Sequence, residues 1–567
     1  MPTSRISRHF ASIPDSRRGP RQVHYRRAGR GPALILLHQS PLSSRDLVTT
    51  MERWQRHFTC IAPDTPGYGL SDPLGVTHAE MDEFAAATIE FLDAIGVGKA
   101  AFYGFHTGAM MAAMIAARHP ERVHAVVANG YVIPTSAERA ELVAEYLPPF
   151  VPTWDGAHLA WLWSRMREQT IFFPWYRKEA ADRLAINVPP PEALQANLVE
   201  FLRAGDHYRV AYRAAFTMPA AETLREIEVP ALITASQTDP TSRYLARATA
   251  PAPMVEVRAC PTAAATLDLA LAHLRRAPGS AAPKAIATRA ITGRLWQQML
   301  DVPGGQWRVR RNHDAAGRPV VVVHDAAGSA DTVAPLAASF IGRRPVIALD
   351  LPGHGESGAP SPPARGAALI RTHAQALRRA LDALRIRECD VVGVQGGSLI
   401  GLELASIASR RVRRLVLVAP PYFDRATQVK LRERYVPDIS LDGHGGHLLA
   451  AWHFLRDHGL FWPWYERTVA AILHGERQID PGRVHQRVLE LFRAPEGWRR
   501  MCLAQFAYPV KVKLRAAKVP MLLAAADHDP LRDATLAAAR AQPAIPFCAL
   551  PENEHDWGEV LLRFLDA

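Results

Sequence analysis

Gly104-Phe105-His106-Thr107-Gly108 and Gly393-Val394-Gln395-Gly396-Gly397 decide how this 567-residue chain is read. Each pentapeptide follows an apolar run of strand character and opens a helix, alanine-rich in the first case. Flanking glycines let two backbone segments approach closely, so the middle residue is thrust above a sheet toward a substrate pocket. An elbow of this strand–turn–helix type commonly carries a serine nucleophile at its tip. Here the tips are His106 and Gln395.

The two elbows belong to an internal duplication. A constant offset of 289 residues relates His106 to Gln395, His158 to His447 and Trp175 to Trp464. His38, at the end of Ala33-Leu34-Ile35-Leu36-Leu37, matches His324 after Val320-Val321-Val322-Val323. Asp64-Thr65-Pro66-Gly67-Tyr68-Gly69-Leu70-Ser71 matches Asp350-Leu351-Pro352-Gly353-His354-Gly355-Glu356-Ser357. A repeat of this length is a domain duplication, not a solenoid. Alternating apolar strands and amphipathic helices predict βαβ units on a mostly parallel sheet, with functional loops at the strand carboxyl ends. The expected layout is a first domain over 1–276, a joint over 277–290 and a second domain over 291–567. Helical inserts, or caps, are expected near 131–228 and 420–518. The joint is read from Ala277-Pro278-Gly279-Ser280-Ala281-Ala282-Pro283, a small-residue and proline stretch.

Composition narrows the function classes. The formal charge is +12, but arginines are spread singly or in pairs with no binding stripe, so no nucleic-acid partner is expected. The five cysteines (Cys60, Cys260, Cys389, Cys502, Cys548) are odd in number and scattered. They read as small buried hydrophobes in a reducing compartment. Residues Met1 to Arg30 lack the apolar core of a secretory signal, and no apolar run is long enough to span a membrane. A cytoplasmic protein with no membrane partner is the expectation.

With these blocks in view, both halves resemble the α/β-hydrolase superfamily. The branch is the one with a helical cap after the sixth core strand, as in epoxide hydrolases, haloalkane dehalogenases and meta-cleavage-product hydrolases. The resemblance implies two tandem α/β-hydrolase domains. It carries the family's oxyanion positions to Gln39 and Thr107 in the first half, and to Asp325 and Gly396 in the second. Asp325 brings a negative charge where one should be stabilised. The family's acid, after the next-to-last strand, falls on Asp239 and on Asp529. Its histidine, after the last strand, is kept as His555 in Pro551-Glu552-Asn553-Glu554-His555, but the first half has Ala265 there. By position the first copy is His–Asp–Ala and the second Gln–Asp–His, so neither is a Ser-His-Asp triad.

Two constellations remain. In the first half an imidazole reaches further than a serine hydroxyl, so His106 is expected to approach Asp239 directly and fill the space left at Ala265. In the second, His555 oriented by Asp529 is expected to act as a general base while Gln395 positions water. Against both stands the reading of two degenerate pockets held by packing. Were one copy the worker, the second half, with both His555 and Asp529, is the expected one. Ser398 lies past the elbow tip, inside the first helical turn, and is not expected to replace a nucleophile.

The inserts share unusual residues. Asp155-Gly156 with His158, Trp163, Arg167 and Phe173-Pro174-Trp175-Tyr176 returns as Asp442-Gly443 with His447, Trp452, Arg456 and Trp462-Pro463-Trp464-Tyr465. The aromatic residues are expected to form the core of the cap. His158, Trp163 and Arg167, and likewise His447, Trp452 and Arg456, are expected to line a pocket roof, the arginines binding an acidic or carbonyl-bearing substrate. One histidine and one aspartate per insert lack the ligand number of a zinc site, so neither metal nor cofactor is expected. The expected activity is hydrolysis or C–C or C–O cleavage of a small carbonyl-containing molecule. The alternative is an inactive pair kept for ligand binding or for protein interaction, the domains packing against each other or against a partner.

Overall fold

A computed structural model describes residues 6–17, 19–277, 279–359, 364–473 and 479–567. Pro278 in the expected joint, residues 1–5 of the amino-terminal segment and 474–478 of the expected second cap lie outside the described residues. The chain divides into two compact units, Met1–Val151 with Trp161–Arg289, and Pro152–Ala160 with Ala290–Ala567.

In the first unit the strands are β1 (Ser7–Ile13), β2 (Arg21–Ala28), β3 (Ala33–Leu37), β4 (Thr59–Pro63), β5 (Ala100–Phe105), β6 (Val123–Asn129), β7 (Ala231–Ser236) and β8 (Val255–Cys260). They form one sheet in the order β1-β2-β4-β3-β5-β6-β7-β8. β1 and β4 both run antiparallel to β2, and from β4 to β8 the pairing is parallel. β3, β4 and β7 are buried at every position. A parallel strand covered by helices on both faces has no solvent side, which is why Ala33–Leu37 is an unbroken apolar run.

The second unit repeats the plan with β9 (Trp296–Val302), β10 (Gly305–Asn312), β11 (Val320–Val323), β12 (Val346–Leu349), β13 (Cys389–Val394), β14 (Val412–Val418), β15 (Met521–Ala526) and β16 (Phe547–Leu550). Their order is β9-β10-β12-β11-β13-β14-β15-β16. In both sheets the elbow follows a central strand. The chain turns from β5 into helix Thr107–Arg118, and from β13 into helix Gly396–Ile407. Each of these helices is buried over its first ten residues, whose side chains are small or apolar save Glu403, which accepts from the Tyr508 hydroxyl (2.7 Å) and pairs with Lys513 (2.7 Å). A Cβ on Gly108 would strike the Leu37 carbonyl, and one on Gly397 the Val323 carbonyl, so helix and sheet touch through bare backbone at these points.

The Asp-x-Pro-Gly blocks serve the scaffold. Asp64 Oδ1 accepts from the Ser44 N–H (2.8 Å), and Oδ2 accepts from the Leu70 N–H (2.9 Å) and faces His24 Nδ1 (2.8 Å). Asp350 accepts from the Ala330 and Glu356 N–H groups, each at 2.8 Å, with Arg308 standing where the first unit has His24. Each aspartate pins two loops at the carboxyl edge of its sheet, beside the elbow.

The long inserts fall between β6 and β7 (130–230) and between β14 and β15 (419–520). The stretch read as a joint is strapped to the first unit: Ala282 N–H donates to the Gly31 carbonyl (2.9 Å), and Ser12 Oγ donates to the Arg289 carbonyl (2.6 Å). Among the described residues no helix is long and apolar enough to cross a membrane, and all five cysteines are free thiols, four of them buried.

Candidate functional site

The first elbow holds His106 at φ 48°, ψ −111°, a conformation disfavoured for any residue with a Cβ. It is imposed by the close crossing of β5 and the helix, and fixed by the His106 N–H donating to the Asn129 carbonyl at 2.9 Å. The imidazole stacks on Phe105 with ring centroids 4.0 Å apart. Its Nε2 lies 2.8 Å from Asp239 Oδ2, and its Nδ1 lies 3.1 Å from Gln39 Oε1. Asp239 sits three residues past β7, where its Oδ1 accepts from the Thr241 N–H (2.8 Å) and hydroxyl (2.6 Å). Burial pushes the Asp239 carboxyl up, but the imidazole beside it and the Thr241 donors outweigh that and hold it at about 2. It is therefore an anion facing the imidazole at neutral pH.

Room for the ring comes from Gly130, at φ +78°. A Cβ there would collide with His106 Cδ2 and come within 2.9 Å of Nε2. This residue escapes a reading of motifs. Its signal is the contrast between Asn129-Gly130 after β6 and Ala419 after β14 in the second half. Above the pair lies a cavity of about 190 Å³ whose lining includes Gln39, Thr107, Tyr146, Gln169, Asn197 and Tyr212. Burial pushes the Tyr146 and Tyr212 hydroxyls up, so both stay protonated. The lining holds no aspartate, glutamate, lysine or arginine.

The second elbow has the same backbone, with Gln395 at φ 47°, ψ −113°, but different surroundings. Its cavity, about 330 Å³, is lined by Gln395, Asp325, Asp529, Arg456, Arg483, Arg487, Glu552 and Glu554 among others. Asp325 is paired with Arg487 at 2.8 Å, which neutralises the charge at the oxyanion position. Arg483 pairs with Glu554. Gln505 Oε1 stands 2.7 Å from where a Cβ of Gly396 would be. Ser398 is fully buried and its hydroxyl donates to the Gly393 carbonyl (2.7 Å), so it has no access to the cavity.

The structure does not bring His555 to Asp529. His555 is exposed on the short turn Glu554–Asp556, outside the cavity lining, and among the described residues its imidazole has no hydrogen-bond partner. Asn553 Oδ1 caps this turn by accepting from the His555 N–H (3.1 Å), so Glu554 rather than His555 reaches the cavity. Asp529 lines it, and its Oδ1 accepts from the Leu531 N–H (2.8 Å).

Of the six insert residues expected to line a pocket, Arg456 lines the Gln395 cavity, its guanidinium donating to Asp457 Oδ1 at 2.8 and 3.0 Å, and none of the other five lines either elbow cavity among the described residues. Trp163 is 2% exposed, and Trp452 is fully buried with its Nε1 donating to the Trp154 carbonyl (3.1 Å). Arg167 is half-buried and outside the lining of the His106 cavity. His158 falls with the second unit, its ring edge-on to Trp452 (4.9 Å) and its Nε2 3.4 Å from His485 Nδ1. Burial, with His485 beside it, pushes the His158 imidazole down to about 4. His447 is buried, its backbone N–H donating to Asp442 Oδ2 (2.9 Å). Asp155 likewise accepts from the Ala157 N–H (3.0 Å). These aspartates cap helix starts, a structural reason for their persistence in both halves. Among the described residues no cluster of three or more His, Cys, Asp or Glu side chains is placed to hold a metal ion.

The model of the alpha/beta hydrolase fold family matches residues 32–244 and 318–542, and the chain belongs to that family, with one copy of the fold in each half. Haloalkane dehalogenase 2 of Mycobacterium tuberculosis is 34% identical over 117 residues, 20% of this chain. The match spans only 39% of that relative's length. The (E)-2-((N-methylformamido)methylene)succinate hydrolase of Acinetobacter baylyi is 25% identical over 227 residues, 39% of this chain and 78% of that protein. Among solved structures, the enol-lactonase from Burkholderia xenovorans has 18% identity and a TM-score of 0.34, covering 45% of this chain and 97% of its own.

Proposed function

We propose that the first unit is the catalytic one and cleaves a small carbonyl-containing molecule, by hydrolysis or C–C or C–O scission, with the His106–Asp239 pair in place of a triad. The 2.8 Å contact between His106 Nε2 and Asp239 Oδ2, beneath a cavity that His106 lines, carries this reading. An ionised carboxylate on Nε2 keeps that nitrogen protonated and leaves Nδ1 as the working atom, as the aspartate of a triad does for its histidine. Nδ1 faces an acceptor, Gln39 Oε1 (3.1 Å), so the ring works as a base only in its neutral form, with a water or substrate group in place of that oxygen. Nδ1 then accepts a proton from water as the water oxygen bonds to the carbonyl carbon. The C=O pair moves onto oxygen, near the backbone N–H of Thr107, and the proton passes from Nδ1 to the leaving group as its bond breaks.

The second unit's pocket is read as a non-catalytic binding site. Gln395 is not a nucleophile, His555 is exposed, and the oxyanion position is taken by an Asp325–Arg487 pair. Turnover of a panel of activated esters, lactones and β-diketones by the protein and by His106→Ala, Asp239→Asn and His555→Ala tests the assignment. Loss of activity in the first two variants alone is expected. An unchanged rate in His106→Ala overturns it.

A further inference from the structure

Arg165, in the helix Ala157–Glu168, has a guanidinium 1% exposed to solvent. Among the described residues no carboxylate lies within ion-pair distance of it. Nη1 donates to Gln169 Oε1 (3.0 Å), while Nε and Nη2 have no partner. Around it stand the rings of Trp175, Phe201, Tyr146 and Tyr208, with centroids 5.1, 5.2, 5.6 and 5.7 Å from Cζ. Aromatic faces return part of the lost hydration, but an unpaired buried cation keeps a large desolvation penalty.

Packing does not demand it. At the matching position of the second unit the residue is Phe454, held by Trp464 (5.1 Å) and Tyr435 (6.1 Å), the counterparts of Trp175 and Tyr146. A hydrocarbon ring fills that cage as well as a guanidinium does, so the charge in the first unit answers to something else. Tyr146 and Gln169, the two residues that touch Arg165 and also line the His106 cavity, point to what it is. With its Oε1 taken by Arg165, Gln169 has only its amide N–H groups left to offer, one of them 3.7 Å from Met166 Sδ. The wall therefore combines a hydrogen-bond donor with a positive field behind it. Negative charge lies instead behind Gln39. Gln39 Nε2 donates to Asp46 Oδ2 (3.2 Å), and the buried Glu200, one turn beyond cavity-lining Asn197, repels Asp46.

We infer that Arg165, acting through Gln169, makes the Tyr146–Gln169 wall of the His106 cavity the seat of a substrate carboxylate. The substrate class becomes a small carbonyl compound bearing one carboxylate, its charge toward this wall and its carbonyl toward His106. This rests on the His106 cavity being the binding site, and not on the chemistry assigned to His106. Arg165 is a specificity-determining residue that acts at one remove.

Benzoate and benzamide differ in charge but little in shape, and their binding, measured by calorimetry, tests the inference. The wild-type protein is expected to prefer benzoate by about tenfold, the effect of a unit charge roughly 10 Å away at an effective dielectric constant near 20. Arg165→Phe, which copies the second unit and so keeps the cage filled, levels the two affinities and leaves benzamide unchanged. Arg165→Lys retains the preference. Equal binding of both probes by the wild type, or no binding of benzoate, overturns the inference. So does an equal loss of both probes in Arg165→Phe, which marks a structural role. His106→Ala is expected to keep the benzoate preference, so a failure of the proposed chemistry and a failure of this inference give different results.

Discussion

His106 and Gln395 occupy elbows whose backbone angles agree within about two degrees (φ 48° and 47°, ψ −111° and −113°), yet the two sites have diverged in opposite directions. In the first unit the loss of the late histidine is met by an imidazole at the tip, which reaches the surviving Asp239. The second unit keeps the late histidine on an exposed turn and fills the neighbourhood of the tip with ion pairs. The elbow is thus a geometric device that tolerates any tip residue. What the tip can do is set by the carboxylate, the glycine and the cavity wall around it.

The comparison is broken most directly by making the first elbow into the second. His106→Gln is expected to reduce turnover about a thousandfold, the usual scale for loss of a general base, with folding unchanged in circular dichroism. Next comes the position that separates the two sockets. Gly130→Ala, which gives the first unit the residue found at Ala419, drives a methyl group into the His106 ring. A shift of about 1 Å in a reacting group costs roughly a hundredfold, so kcat should fall by about that factor with a small change in KM.

A smaller effect sharpens the contrast from the second unit. His373 is 1% exposed, neither ring nitrogen has a hydrogen-bond partner among the described residues, and burial, with His324 nearby, pushes its imidazole down to about 3. A depressed folded-state value means that the stability is intact above the unfolded value near 6.5. It is lost progressively as the pH falls from there toward 3. His373→Leu should remove that loss, so that at pH 5 the variant gains about 2 kcal/mol relative to its parent in denaturant titrations, with little of the gain at pH 8. The smallest effect is expected at His555: His555→Ala should leave turnover and midpoint of unfolding within error, and a tenfold loss of turnover would return the second unit to candidacy.

The repeat, the strands and the elbows were legible because they rest on local signals: glycines at fixed spacing, unbroken apolar runs, and a nearly constant offset between the halves. Asp239 was legible for the same reason, as an acid placed just after an apolar strand. The insert residues were not. Asp155 and Asp442 persist in both halves because each caps a helix start, and from the sequence alone a capping aspartate looks like a binding one. Trp163 and Trp452 share a helical spacing with their neighbours, but spacing does not say whether a face meets a cavity or the core. Arg165 passed unnoticed between two tryptophan-bearing turns, since nothing local tells a buried arginine from a surface one.

The amino-acid sequence by itself determined two copies of one α/β fold, the loss of serine at both elbows, and which acids and histidines remain along the chain. Only the tertiary structure decided which of those remnants meet. That His106 reaches Asp239 while His555 stays exposed depends on a missing Cβ at Gly130 and on the start of a three-residue turn. The contact of His106 with Asp239 joins residues 133 positions apart. Such contacts follow from the packing of strands, helices and inserts on one another, which no local pattern encodes.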